Sequence, residues 1–103
     1  MFKIVASFTR PDSQHEFFND LYMQFDLIKT LHERARLHQG FLGVDEHIYR
    51  DDLRCDKALC FDSQQSFLAF VADNQDLLDQ RMAMINEYCL RTNQVYKYYV
   101  IET

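Results

Sequence analysis

The chain has 103 residues, of which 48% are hydrophobic, with nine phenylalanines and six tyrosines but only two glycines and one proline. That is one domain with a rich core and little loop material. A net charge of −5 without any Lys/Arg-rich stretch argues against nucleic acid and anionic membrane as partners, because both need clustered positive charge.

Met1 to Pro11 (MFKIVASFTRP) lacks the apolar core of a signal peptide, and no run approaches transmembrane length. Phe2 to Thr9 alternates as a strand, with Phe2, Ile4, Ala6 and Phe8 on one face and Lys3, Val5, Ser7 and Thr9 on the other. Pro11 ends it, because proline has no N–H for the ladder. Ser13-Gln14-His15-Glu16 fits a capping box. The stripe Phe18, Leu21, Phe25, Ile28, Leu31 and Ala35 then predicts a helix. It runs about 25 residues, long for such a domain, unless it breaks near Gln24 to Asp26. Gln39-Gly40 stops it, with Gly40 able to take a left-handed conformation.

Val44 to Arg50 and Arg54 to Asp62 read as a hairpin joined through Asp51-Asp52-Leu53, a solvated acidic turn. In the stretch CFDSQQSFLAF (60–70), alternation gives way to a helical rhythm, and Ser63 is placed to cap the new helix. Phe67, Phe70 and Val71 lie on its apolar side. Asp73-Asn74 marks a second start or a kink, followed by the stripe Leu78, Met82, Ile85 and Cys89. Asn93-Gln94 breaks that pattern, and Val95 to Glu102 closes the chain as a strand.

The order strand, helix, strand, strand, helix, strand predicts the α+β ferredoxin-like plan. Residues 1–103 then form a single domain: a four-stranded antiparallel sheet with both helices on one side. The last strand is apolar on both faces, Val95, Tyr99 and Ile101 on one and Tyr96, Tyr98 and Val100 on the other. The face without helices therefore needs a cover, and a second copy of the sheet is the simplest one.

Three stretches carry a family resemblance: Gln39-Gly40-Phe41-Leu42-Gly43, Cys60 to Phe67, and Asn93 to Ile101. With them the chain resembles the dimeric α+β barrel superfamily, most of all its antibiotic-biosynthesis-monooxygenase group. The resemblance implies a homodimer, a pocket between sheet and helices in each subunit, and oxidation of small aromatic or quinol-like molecules by O₂ without metal or flavin. Some members instead degrade haem, and others are isomerases. The residues that usually carry this chemistry differ here. Phe70 stands where a common family histidine falls, and Phe61 where haem-degrading members carry tryptophan. Gln80 replaces their haem-ligating histidine and Ser7 their first-strand asparagine. Glutamine is not a usual haem ligand, which disfavours haem degradation.

His32-Glu33 begins a near miss to a zinc-protease helix, but position 36 is Arg36 and His38 falls on another face, so solvated helix residues are expected there and no metal site. Cys55 and Cys60 point to opposite faces of one strand and read, like Cys89, as small buried hydrophobes. An odd cysteine count suggests a reducing, cytoplasmic compartment. Asp45, His47 and Tyr49 share a strand face, where an imidazole beside a carboxylate and a phenol would serve as a general base; the alternative is an edge or dimer contact. The expected catalytic residue is thus His47, and the expected substrate pocket is Ser7, Tyr49, Phe61, Phe70, Gln80 and Tyr99, with no cofactor; the alternative for Phe61, Phe70 and Tyr99 is plain core. The partners expected are a second copy and a small hydrophobic or aromatic molecule. A non-catalytic binding or structural module on the same fold is the alternative function. A pocket plugged by Phe61, Phe70 and Met82 would favour it.

Overall fold

The computed structural model describes all 103 residues. Strands β1 (Phe2–Thr9), β2 (Phe41–Arg50), β3 (Arg54–Phe61) and β4 (Val95–Glu102) form one sheet in the order β2-β3-β1-β4. Every neighbouring pair is antiparallel. Helices α1 (Asp26–Leu37), α2 (Gln64–Asp73) and α3 (Gln75–Thr92) connect them. This is the predicted ferredoxin-like architecture, with the second connection divided into two helices. No helix is long and apolar enough to cross a membrane.

Period-two register decides which side chains meet the helices. Phe8 of β1 lies opposite Cys55 of β3 and Tyr96 of β4, and Phe2 lies opposite Phe61. These residues face α1 to α3 and pack with Ile28, Leu31, Ala35, Phe70 and Ile85. Val5, Ser7, Asp56, Ala58, Cys60 and Tyr99 take the other face.

The first connection departs from expectation. No helix starts at Ser13. Asp12 makes the local turn instead, its carboxylate accepting from the Gln14 amide at 2.9 Å. Phe18–Asp20 and Tyr22–Gln24 form short 3₁₀ turns, Phe25 is extended, and α1 begins only at Asp26. The apolar stripe is nevertheless satisfied. Phe18 stacks on Phe8 at 5.4 Å and on Phe25 at 5.5 Å, and Phe17, Phe18 and Leu21 are buried. Ring contacts across the interior outweigh the backbone bonds a continuous helix would have formed, so the chain breaks at the predicted alternative point.

The strand-to-helix junction at Ser63 forms as the sequence implies. Ser63 is extended, and its hydroxyl accepts from the Ser66 amide at 3.2 Å. Gly40 packs against this cap with φ +87°, and its carbonyl accepts from the Asp62 amide at 2.8 Å. A Cβ at residue 40 would press into the Ser66 side chain and lie 2.7 Å from Asp62 Oδ1. Two of the stretches that carried the resemblance are therefore halves of one packed corner. Asn74 separates α2 from α3. It is buried, donates to the Phe70 carbonyl at 2.9 Å and accepts from Arg34 at 3.2 Å. Asn93, at φ 57°, ends α3 in the left-handed conformation.

Candidate functional site

Ser7, Tyr49 and Tyr99, three of the residues expected at a pocket, meet on the sheet face without helices, around Asp56. The ladder places Ser7 and Tyr49 directly opposite Asp56 on its two flanking strands. The Asp56 carboxylate is fully buried. It accepts from Arg54 at 3.1 and 2.7 Å and from the Tyr99 hydroxyl at 2.7 Å. Burial pushes its carboxyl up, but hydrogen bonds from Arg54, Ser7 and Tyr99 outweigh that and hold it below the usual carboxylate range. Burial and the bond to Asp56 together raise the Tyr99 phenol. Arg54 also lies 4.7 Å above the Tyr49 ring. Beside this network the Lys3 ammonium sits 2.8 Å from Asp45.

His47 lies on the same strand as Asp45 and Tyr49, within an irregularity. Between Asp45 and Tyr49 β2 advances four residues while β3 advances two, from Ala58 to Asp56. The His47 side chain is exposed, and its backbone amide donates to Asp45 at 2.9 Å. Phe61 and Phe70 lie on the opposite side of the sheet, in the aromatic core. Their centroids are 5.7 Å apart and both are almost wholly buried. Met82 does not join them but is exposed. Gln80 is exposed on α3.

The sequence reading missed a second polar cluster, on the helix side. Asp20, in the first 3₁₀ turn, accepts from Arg50 at 2.7 and 3.0 Å and lies 2.8 Å from Lys57. Burial alone would raise its carboxyl, but the bonds from Arg50 and Lys57 bring it below the usual range. The buried Cys55 thiol receives an Arg50 N–H at 3.2 Å, and burial pushes it up, away from thiolate. Asn19 ties the turn to the sheet by donating to the Ala6 carbonyl at 3.3 Å and the Cys55 carbonyl at 3.2 Å. Its Oδ1 is buried without a partner, a condition that costs about 1–3 kcal/mol.

His32 meets this cluster only through the Tyr22 ring, which lies 6.0 Å from the Lys57 ammonium. Instead of being solvated, it is half-buried and stacks on Tyr22 at 4.8 Å, because the 3₁₀ turns fold back over α1. Burial lowers its pKa, Arg36 and Arg81 add to that, and Glu46 opposes it. Burial thus favours the neutral imidazole, the form that can accept a proton. His38 is not solvated either. Its ring edge meets Phe70, and Nε2 lies 3.0 Å from Asp73.

Several recesses mark the surface. One of about 480 Å³ lies between the end of α3 and the start of β4, lined by Asn86, Cys89, Leu90, Asn93, Gln94 and Tyr96. A smaller one lies at the α2–α3 junction beside Arg34 and Asp73. Neither includes an expected site residue.

The fold defines the class: a ferredoxin-like α+β domain. A solved structure shares this fold. A candidate antibiotic biosynthesis monooxygenase from Deinococcus radiodurans superposes on 100% of this chain and 92% of its own, with TM-score 0.52 and 12% identity. SnoaB, a cofactor-independent oxygenase from Streptomyces nogalater, aligns over 99% of this chain and 91% of its own, with TM-score 0.49 and 13% identity. The likeness is one of fold. No protein-family model matches the sequence, and no curated protein matches it.

Proposed function

We propose that the protein is a homodimeric, cofactor-independent monooxygenase of a small aromatic or quinol-like molecule, working in a reducing, cytoplasmic setting. The observation that carries the reading is the ionic cluster of Asp20, Arg50 and Lys57 against an aromatic interior, with the Tyr22 ring shared between Lys57 and a half-buried His32. Charged groups are costly in such a place unless they are paired, as these are. For an anthrone-like substrate the chemistry balances without another reductant. A proton leaves the methylene, and the carbanion gives its electrons to O₂ to form a C–O bond. The O–O bond then breaks with loss of water, leaving a ketone. The protein's part is to hold the substrate, take the proton and stabilise the anion.

Dimerisation belongs to the same reading. Lys3–Asp45, Arg54–Asp56 and Tyr99 crowd one sheet face, which a second sheet would cover. Light scattering should give twice the chain mass of 12.4 kDa, and the interface should bury more than about 1,000 Å². Oxygen uptake with a panel of anthrones and quinols tests the reaction, and no uptake above the uncatalysed rate with any of them would end the oxygenase reading. In the active dimer His47→Ala should lower turnover about a hundredfold if this imidazole is the base. Full activity would remove His47 from the mechanism.

The close packing of Phe61 on Phe70 favours a second reading, a non-catalytic dimeric module. It predicts ligand binding or assembly without oxygen uptake.

A further inference from the structure

The recess of about 480 Å³ between the end of α3 and the start of β4 is walled by three carboxamides, Asn86, Asn93 and Gln94, together with Cys89, Leu90 and Tyr96. None of the six is charged. Asn86, Cys89, Leu90 and Asn93 recur at three- and four-residue steps along one side of α3, whereas Ile85, Tyr88 and Thr92 take its buried side. Gln94 joins the two sides. Its Nε2 donates at 2.7 Å to the Glu16 carbonyl, to which the Tyr88 hydroxyl also donates at 2.7 Å. Turning the amide over would set its oxygen against that carbonyl, so the nitrogen is fixed on the Tyr88 side. The two ends of a carboxamide diverge, which leaves Oε1 towards the recess. Gln94 is 5% exposed, and this Oε1 has no partner within the chain. It accepts an N–H or O–H and nothing else.

The surroundings narrow the choice of donor. No carboxylate lines the recess to pair with an ammonium, and Arg81, 5.8 Å from the Tyr96 ring centre, disfavours a cation further. An anion such as a carboxylate would bring no donor to Oε1. The exposed Leu90 and half-buried Cys89 offer apolar surface, and the Tyr96 ring is already packed on Phe8 at 5.1 Å. Asn and Gln side chains complement ring edges that carry a donor beside an acceptor. The volume falls within the range of about 300–1,000 Å³ usual for small-molecule sites.

We propose that this recess binds an uncharged nitrogen heterocycle whose edge sets an N–H next to a hydrogen-bond acceptor, the pattern of a nucleobase. The N–H donates to Gln94 Oε1, the neighbouring acceptor takes an N–H from Asn86 or Asn93, and the ring lies against Leu90 and Cys89. A free base or a nucleoside meets these needs. A nucleic acid does not, because no basic residue lines the recess to hold its phosphates. None of Asp20, His32, Arg50 and Lys57 lines it either, so the site does not depend on the oxygenase reading.

The test is titration of the full-length protein with uridine and adenosine, followed by backbone amide shifts. The comparators are 3-methyluridine, which lacks the ring N–H, and the adenosine derivative whose amino group is dimethylated. At least one nucleoside should bind about tenfold or more tightly than its methylated counterpart, the scale of one hydrogen bond to a buried acceptor, and should shift the amides of residues 86, 89, 90, 93, 94 and 96. Which of the two does so separates a pyrimidine edge from a purine edge. Gln94→Met keeps the length of the side chain without the acceptor, and in it parent and methylated compounds should bind equally. Asn86→Ala combined with Asn93→Gly changes only exposed positions, with a glycine that accepts the left-handed turn at 93, and should weaken the preferred nucleoside. Equal binding of each nucleoside and its methylated counterpart to the wild-type protein overturns the proposal, even if the Met variant fails to fold. So does a shift pattern that spares the recess, and so does an undiminished preference in Gln94→Met.

Discussion

Each face of the sheet holds a carboxylate anchored by arginine, and the two are built differently. Asp56 lies wholly within β3, and its partners come from the same strand or from strands within the sheet: Arg54, Ser7 and Tyr99. Ladder register alone brings them together, and no partner comes from a helix. Asp20 sits on a 3₁₀ turn, its cations come from β2 and β3, and next to it Asn19 has an unpaired oxygen. One network is closed and structural; the other is held by a turn and left one bond short. A buried charge surrounded by strand residues contributes to stability, whereas one mounted on a short turn can change partners.

Substitutions should separate these roles. The largest effect belongs to the aromatic core on the helix side: Phe61→Ala should cost about 4 kcal/mol by opening a cavity beside Phe70, read from denaturant midpoints. Asp56→Ala should cost about 3 kcal/mol, the low end for a broken buried pair because Arg54 stays half in water. Asp20→Ala should cost less, about 2 kcal/mol. If Asp20 proves the costlier of the two, the contrast between a structural and a spare network is wrong. Ser63→Ala, outside both networks, should cost about 1 kcal/mol through loss of the cap, and an unchanged midpoint would mean the Ser66 amide has another partner.

The smallest effect is one of pH. His32 has a lowered pKa when folded, so the unfolded chain binds more protons around the reference value of about 6.5. Its contribution is present above that value and is lost as pH falls through the window below it. The buried carboxylates add their own loss at lower pH, because their folded values are also depressed. His32→Gln should flatten the fall in stability just below about pH 6.5 while leaving the limb due to the carboxylates intact. An unchanged profile would show that the imidazole beside Tyr22 is as solvated as in the unfolded chain.

The six-element order, the Ser63 cap and the ends of α3 and β4 were legible because each depends on near neighbours in sequence. Residues 13–25 were misread because the stripe of Phe18, Leu21 and Phe25 suits a helix and is equally served by stacking in 3₁₀ turns. Only the distant Phe8 ring decides between them. The ring-stacked His32 was misread for the same reason. The Asp56 network left a trace that could have been followed: Arg54 and Asp56 are two apart on one strand face, a charged pair where alternation calls for apolar residues. The Asp20 cluster left none, since residues 19–22, 50 and 55–57 come together only in the folded chain. Period two did place Asp45 and Tyr49 on one face, yet it gave no warning of the two extra residues that carry His47 out of the regular ladder.

Those two extra residues matter beyond His47. β2 is an edge of the sheet, and its irregular register leaves its outer row of backbone groups unable to match a straight strand over its length. The other edge, β4, pairs with β1 residue for residue over eight positions and exposes Tyr98 and Val100. The molecule thus has one blunted rim and one that can still accept a strand. Edge-to-edge growth needs receptive rims, so the irregular register of β2 at residues 41–43 and 45–49 disfavours strand addition on that side.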